Sequence, residues 1–161
     1  NARQFIDAAE GKGVKLYLPV DFVVADRFSA EAITKNVTFR DIPSNWMALD
    51  IGPASTILFK EALEDAKTII WNGPMGAFEI DAFARGTMAM CQNLASTHAL
   101  TIVGGGDSNA AVKKSGEEKQ GFNLLSSKDL QIQLGFCRRH QMTHRYSLLP
   151  SPVRAKSHRH N

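Results

Sequence analysis

Along residues 1–119, short apolar runs of β type alternate with segments whose apolar residues recur at helical spacing. Residues 2–11 predict a short helix, with Phe5, Ile6 and Ala9 on one face and Gly11 and Gly13 ending it. Val14 to Val24 is rich in β-formers but interrupted by Pro19 and Asp21. Proline offers no ladder donor, so the strand is expected to end or bend there. Ser29 to Asn45 is polar, with weak strand character at Val37-Thr38-Phe39. Ser55 to Lys67 predicts a helix, with Leu58, Ala62 and Ala66 at four-residue steps. Thr68 to Trp71 predicts a strand. Asp81 is expected to cap a helix running to about Thr97 that turns Phe83, Met88, Cys91, Leu94 and Ala95 inward. Leu100 to Val103 predicts another strand, and Asn109 to Lys114 a helix stopped by Gly116.

Two junctions stand out. Ile69-Ile70-Trp71 runs into Asn72-Gly73-Pro74-Met75-Gly76, and Thr101-Ile102-Val103 runs into Gly104-Gly105-Gly106-Asp107-Ser108. Each is a strand, then a loop stripped of side chains, then a helix start. Backbone N–H groups at such a junction can approach a phosphate closely, and the helix dipole favours its charge. The spacing of the two junctions implies one crevice at the carboxyl ends of neighbouring parallel strands. The fold class expected is therefore α/β: a partial Rossmann-like, mostly parallel sheet with flanking helices, plus an irregular basic C-terminal tail.

The tail changes the charge picture. Residues 1–119 hold 12 Lys and Arg against 15 Asp and Glu; residues 120–161 hold seven against one. Gln120 to Asn161 shows no sustained period and carries Arg138, Arg139, Arg145, Arg154 and Arg159 with His140, His144, His158 and His160. A disordered extension is expected there, with an anionic partner as the alternative. The sequence offers no aromatic interleaving for single-stranded nucleic acid. The chain of 161 residues, 43% hydrophobic and 22% charged, suits one soluble domain with a real core. No apolar stretch reaches the length of a membrane span, and Asn1 to Glu10 does not read as a signal peptide. Cys91 and Cys137 make no disulfide framework. The absence of an initiator Met implies that the sequence is not a complete translation product.

The candidate chemistry lies in the two loops. Gly104, Gly105 and Gly106 leave room for close backbone approach, Asp107 is a hard oxygen ligand suited to phosphate-bound Mg²⁺, and Ser108 offers a hydroxyl. A plain glycine turn with Asp as a helix cap meets the same pattern. The Gly-Lys-Ser/Thr ending of a P-loop is missing. Glu79 is placed to accept hydrogen bonds from ribose hydroxyls, or else stands as a solvated or capping carboxylate. Trp71 reads as core rather than a stacking platform. Leu49-Asp50-Ile51-Gly52-Pro53 reads as an apolar base slot or an ordinary turn. Cys137, His140 and His144 have the spacing C-x₂-H-x₃-H, but no fourth ligand is spaced to close a zinc site.

Together, residues 18–30 (LPVDFVVADRFSA), 42–55 (IPSNWMALDIGPAS), 69–87 (IIWNGPMGAFEIDAFARGT) and 101–114 (TIVGGGDSNAAVKK) resemble the carboxyl-terminal, nucleotide-binding domain of the phosphoglycerate kinase family. The resemblance runs over residues 12–118 and rests most on IIWNGPMGAFE and GGGDS. It implies phosphoryl transfer between ATP and 3-phosphoglycerate, giving ADP and 1,3-bisphosphoglycerate, with Mg²⁺, in glycolysis and carbon fixation. It implies that Gly105 and Gly106 handle the transferring phosphates and that Asp107 holds their magnesium. It places Gly104 and Ser108 at the phosphates, Asn72, Gly73 and Pro74 in a loop beside them, and Glu79 on the ribose. Ala48 and Leu49 fall at the edge of the adenine pocket.

The family pattern has Gly at the positions of Asn45 and Ala48, so side chains there are expected to crowd the turn and the slot. After Lys119 the family continues with a strand and a Ser-Thr-Gly-Gly-Gly-Ala-Ser loop, where this chain has GFNLLSSKDLQIQL. The expected division is therefore 1–119, part of the nucleotide-binding domain, and 120–161, a divergent tail arising from a shifted frame, a retained intron or a gene-model error. The lobe that binds 3-phosphoglycerate is absent, so this chain is expected to be an incomplete, inactive, monomeric form. The implied location is the cytoplasm, with the plastid stroma as the other setting. A non-catalytic Mg-nucleotide-binding or regulatory module is the alternative.

Overall fold

Pro19 decides where the first strand begins. With no N–H to give a ladder, it leaves residues 14–19 without regular structure, and strand β1 forms only over Asp21–Ala25. The strand character expected from Val14 onward is thus corrected: Val14, Leu16, Tyr17 and Leu18 are exposed. The computed structural model describes residues 2–118 and 122–125. Before β1, helix α1 spans Ala2–Glu10 and the chain leaves it through Gly13, at φ 66°.

Strands β2 (Thr34–Thr38) and β3 (Met47–Ile51) flank β1, both antiparallel to it. This second sheet, in the order β2-β1-β3, departs from the mostly parallel arrangement expected. The cause is connection length: a parallel crossover needs about a dozen residues or more, and only residues 26–33 separate β1 from β2. In the β1–β3 ladder Val23 faces Asp50 while Val24 faces Ala48, so Leu49 is an extra, bulged residue.

The rest of the described chain is βα in character. Helix α2 (Pro53–Leu63) starts with Pro at its first position, and is followed by β4 (Thr68–Trp71). A 3₁₀ turn (Asp81–Phe83) precedes α3 (Arg85–Ser96), then β5 (Leu100–Gly104), α4 (Gly106–Ser115) and β6 (Asn123–Leu125). The helix expected from Asp81 to Thr97 is therefore divided at Ala84 (φ −98°, ψ −14°). Asp81 is not its cap, because its carboxylate is taken by Lys114 at 2.8 Å. Helix α4 begins three residues before the expected Asn109 and stops, as expected, at Gly116 (φ 78°).

β4, β5 and β6 form a parallel sheet in the order β4-β5-β6. Sheet pairing thus continues beyond Lys119, where the sequence pattern was expected to lose it, because residues 123–125 lie alongside Ile102–Gly104. The readings of the remaining tail, including Cys137, His140 and His144, fall outside the described residues.

One face of the parallel sheet carries the core. Ile69, Trp71 and Val103 pack with Phe78, Met90, Cys91, Leu94, Ala111 and Val112 from α3, α4 and the loop before them. Trp71 is buried as expected, though its indole N–H meets no acceptor among the described residues. On the opposite face, among the described residues, Ile70 and Leu100 are exposed at 50% and 43%. Parallel sheets ordinarily cover both faces. No helix among the described residues is long and apolar enough to cross a membrane.

Two carboxylates join the antiparallel sheet to the helices. Asp21, on β1, accepts the N–H groups of Ala54 (3.0 Å) and Ser55 (2.7 Å), and the Ser55 hydroxyl at 2.6 Å. Asp50, on β3 and 3% exposed, accepts the N–H groups of Gly86 (2.7 Å) and of its own neighbour Ile51 (2.9 Å). Each therefore satisfies first-turn donors of a helix distant in sequence, α2 and α3 respectively, as an N-cap side chain would from within the helix.

Candidate functional site: a glycine-lined crevice

Parallel pairing sets Trp71 beside Val103, so β4 and β5 release their loops at the same edge of the sheet. The two glycine loops singled out in the sequence come together there. Gly105 adopts φ 92° and ψ 148° ahead of α4, a conformation open to glycine and strained for other residues. A Cβ at Gly105 would stand 3.0 Å from the Asn72 side-chain oxygen, so the two loops are in close approach. Ser108 ties them: its Oγ accepts the Gly73 N–H at 2.7 Å. Gly73 itself sits at φ 122°.

The first-turn N–H groups of α4 have no partners within their own helix, and Gly105 provides no side-chain cap. Gly106 and Asp107 are exposed in that turn, and a Cβ at Gly106 would meet nothing. Positive helix-end charge, bare backbone and an exposed carboxylate therefore converge at one place. Ser108 differs from Asp107: it is 1% exposed and its hydroxyl is engaged by Gly73.

The loop from Asn72 to Ile80 is held along its length. The Thr87 hydroxyl, in α3, accepts the Met75 and Gly76 N–H groups at 3.1 and 3.2 Å. The carbonyl of the bulged Leu49 accepts the Ala77 N–H at 2.8 Å. A Cβ at Gly76 would stand 2.6 Å from that carbonyl, so the loop needs glycine there to lie against β3. Phe78 is buried at 4%, which anchors the exposed Glu79 beside it. Lys114 Nζ donates to the Phe78 carbonyl at 2.8 Å and to the Glu79 carbonyl at 3.4 Å.

Gly73 and Ser108 are thus bonded and Gly105 lies close to Asn72, with Gly104, Gly106 and Asp107 on the same junction. Leu49 reaches the loop from Asn72 to Ile80 through its backbone, and Ala48 stands exposed next to it on β3. Pro74 is half-buried in the loop. No direct bond joins Glu79 to the glycine junction among the described residues. Two clefts, of about 690 and about 740 Å³, lie elsewhere against α2 and α3 and include none of Gly104–Ser108.

Burial pushes the Asp50 carboxyl above its ordinary value, against the pull of the Gly86 and Ile51 N–H groups. Burial also pushes the Cys91 thiol above its ordinary value. At Asp21 burial pushes upward too, but the Ser55 hydroxyl and the Ser55 and Ala54 N–H groups outweigh it and hold the carboxyl below its ordinary value.

Sequence reasoning placed Asp50 within a base slot and missed its role as a helix anchor; its apolar neighbours Leu49 and Ile51 were the available signal. It also missed Thr87 and Lys114, whose partners depend on the tertiary fold.

The family model described as phosphoglycerate kinase matches residues 1–127. The phosphoglycerate kinase of Desulfotalea psychrophila is 66% identical over 116 residues, covering 72% of this chain and 30% of that protein. That of Geobacter metallireducens is 65% identical over 109 residues, covering 68% and 27%. The phosphoglycerate kinase structure from Coxiella burnetii superposes with a TM-score of 0.74 at 40% identity, over 78% of this chain and 33% of that one. The chain thus spans about 30% of the length of these curated relatives. By the match over residues 1–127, with the parallel sheet and its glycine junction in place, the chain belongs to the phosphoglycerate kinase family.

Proposed function

We propose that the crevice between the Asn72–Pro74 and Gly104–Ser108 loops binds the polyphosphate of ATP or ADP. It would serve the nucleotide side of phosphoryl transfer with 3-phosphoglycerate. The observation that carries this reading is the joint of Gly73, Ser108 and Gly105 at the carboxyl ends of adjacent parallel strands. Ligands of open α/β sheets bind outside those strand ends.

In this reading the α4 N–H groups and the backbone of Gly105 and Gly106 receive the phosphates, and Glu79 receives the ribose hydroxyls. Ala48 and Leu49 edge the base. Asn72, Gly73 and Pro74 form the facing wall. Phosphoryl transfer relies on positioning and charge stabilisation rather than on a protein nucleophile, and a rigid cradle of this kind supplies the positioning.

Magnesium fits the donor set. Mg²⁺ is held by one or two carboxylates together with substrate phosphates and retained waters. Asp107 is a single exposed carboxylate beside the bare glycine backbone, and no cluster of three or more metal-ligating side chains exists among the described residues. Bound with the nucleotide, the ion would neutralise phosphate charge.

With about 30% of the relatives' length present, the acceptor-binding groups are assigned to the remainder. These 161 residues alone then bind Mg-nucleotide without turnover, as a cytoplasmic monomer. A two-dimensional amide NMR titration of the purified chain with Mg-ADP tests the binding. Shifts at Gly104–Ser108 and Glu79 are expected; a dispersed spectrum that does not respond would overturn the reading. ATP consumption dependent on 3-phosphoglycerate by the pure chain would overturn the absence of turnover.

A further inference from the structure

Helix α4 fastens both ends of the loop between β4 and α3. In its first turn, Ser108 accepts the Gly73 N–H. In its last turn, Lys114 Nζ donates to the Phe78 carbonyl at 2.8 Å, the Asp81 carboxylate at 2.8 Å and the Glu79 carbonyl at 3.4 Å. A lysine ammonium has three N–H donors and no acceptor. All three donors find acceptors in the four-residue stretch that brackets Glu79. The Asp81 pair by itself is weak, since that carboxylate is 93% exposed and surface ion pairs contribute little. The two carbonyls give the contact its placement, because the buried Phe78 side chain fixes the segment from the core side.

We propose that Lys114 is a positioning residue for the nucleotide. It sets the backbone of Glu79 relative to the glycine cradle at the other end of the same helix, and so governs how much the ribose adds to affinity. The inference rests on the nucleotide reading above and assigns a role to a side chain outside the crevice. Its physical content is preorganisation: a backbone already held in place leaves only the Glu79 side chain to order when ligand arrives.

The test compares the full chain with Lys114→Met, which keeps the aliphatic stem and removes the donors, and Lys114→Arg, which keeps donors and charge. Without ligand, amide exchange at Phe78 and Ile80 is expected to rise about tenfold in Lys114→Met, the scale of one charge-assisted hydrogen bond, while Gly73 is unchanged. Equal exchange at Phe78 and Ile80 in both proteins would overturn the clamp.

Titration with Mg-ADP and with Mg-tripolyphosphate, which has no ribose, reads the functional half. Lys114→Met is expected to weaken Mg-ADP by about tenfold and to leave Mg-tripolyphosphate within about twofold, with partial recovery in Lys114→Arg. The loss should vanish in a Glu79→Ala background, which has no side-chain acceptor, because Lys114 acts through that residue. Equal weakening of both ligands, or additive losses with Glu79→Ala, overturns the positioning role alone. A wild-type chain that binds neither ligand overturns the nucleotide reading together with this role.

Discussion

The Oγ of Ser108 accepts the Gly73 N–H at 2.7 Å and so joins the two glycine loops from within the fold. Ser108 is almost wholly buried. Ser108→Ala should therefore cost about 1–2 kcal/mol by leaving the Gly73 donor unpaired. It should also weaken Mg-ADP binding by loosening the crevice. Urea unfolding and Mg-ADP titration of the same preparation check both. Unchanged stability with weaker binding would instead mean that the hydroxyl serves the ligand directly.

Gly86→Ala should destabilise, against the helical preference. Alanine ordinarily gains about 1 kcal/mol over glycine inside a helix. At Gly86, in α3, the added Cβ would stand 2.5 Å from both the Asp50 Oδ1 and the Ile51 Cγ1. These atoms belong to a buried carboxylate and a buried core residue, and neither can move away freely. A net loss of about 1–3 kcal/mol is expected from the overpacking. A raised melting temperature in Gly86→Ala would show that the Asp50 anchor has slack.

Asp21 and Asp50 should respond to pH with opposite signs. Asp21 is held below its ordinary value of 3.8 once folded. Its stabilisation is whole above that value and is lost as pH falls through the lower folded value. Asp50 is pushed above 3.8 by burial. It keeps its proton more tightly folded than unfolded, so its ionisation costs stability as pH rises from 3.8 through the raised value. In urea unfolding from about pH 3 to about pH 7, Asp21→Asn should lose most at the neutral end and least at the acid end. Asp50→Asn should gain on the parent as pH rises. Parallel profiles for the two variants would contradict this assignment.

Asn45 adopts φ 68°, the one non-glycine residue at positive φ among the described residues. Asparagine tolerates the left-handed region better than most residues. Asn45→Gly should be neutral or slightly stabilising, while Asn45→Val should cost about 1–2 kcal/mol. Thermal unfolding of the two variants distinguishes them; equal melting temperatures would mean that the turn rearranges.

The parts of the fold legible in the sequence are those in which local chemistry and tertiary structure agree. Ile69-Ile70-Trp71 and Thr101-Ile102-Val103 read as strands because β-formers run straight into glycine. Their parallel pairing then brings the two glycine loops to the same end of the sheet. Asn45, expected to crowd its turn, is exposed and takes a left-handed backbone that asparagine tolerates. The antiparallel sheet was hidden because β2, Thr-Lys-Asn-Val-Thr, is exposed almost throughout and carries no apolar face. β6 was hidden because three residues in a basic context gain their strand character from pairing with β5 alone. Lys114 and Asp50 were visible as residues but not as contacts, since their partners lie 33 or more residues away for every bond beyond the adjacent Ile51.

The carboxylates that reach from the antiparallel sheet to the starts of α2 and α3 have a consequence for cooperativity. Opening that sheet removes Asp21 and Asp50 from the helix ends and uncaps both helices at once. α3 carries the Thr87 hydroxyl that holds Met75 and Gly76, so the glycine loop loses its support in the same event. A substitution at the far edge of β2 is therefore expected to loosen the glycine loop as well, which amide exchange at Met75 and Gly76 would report.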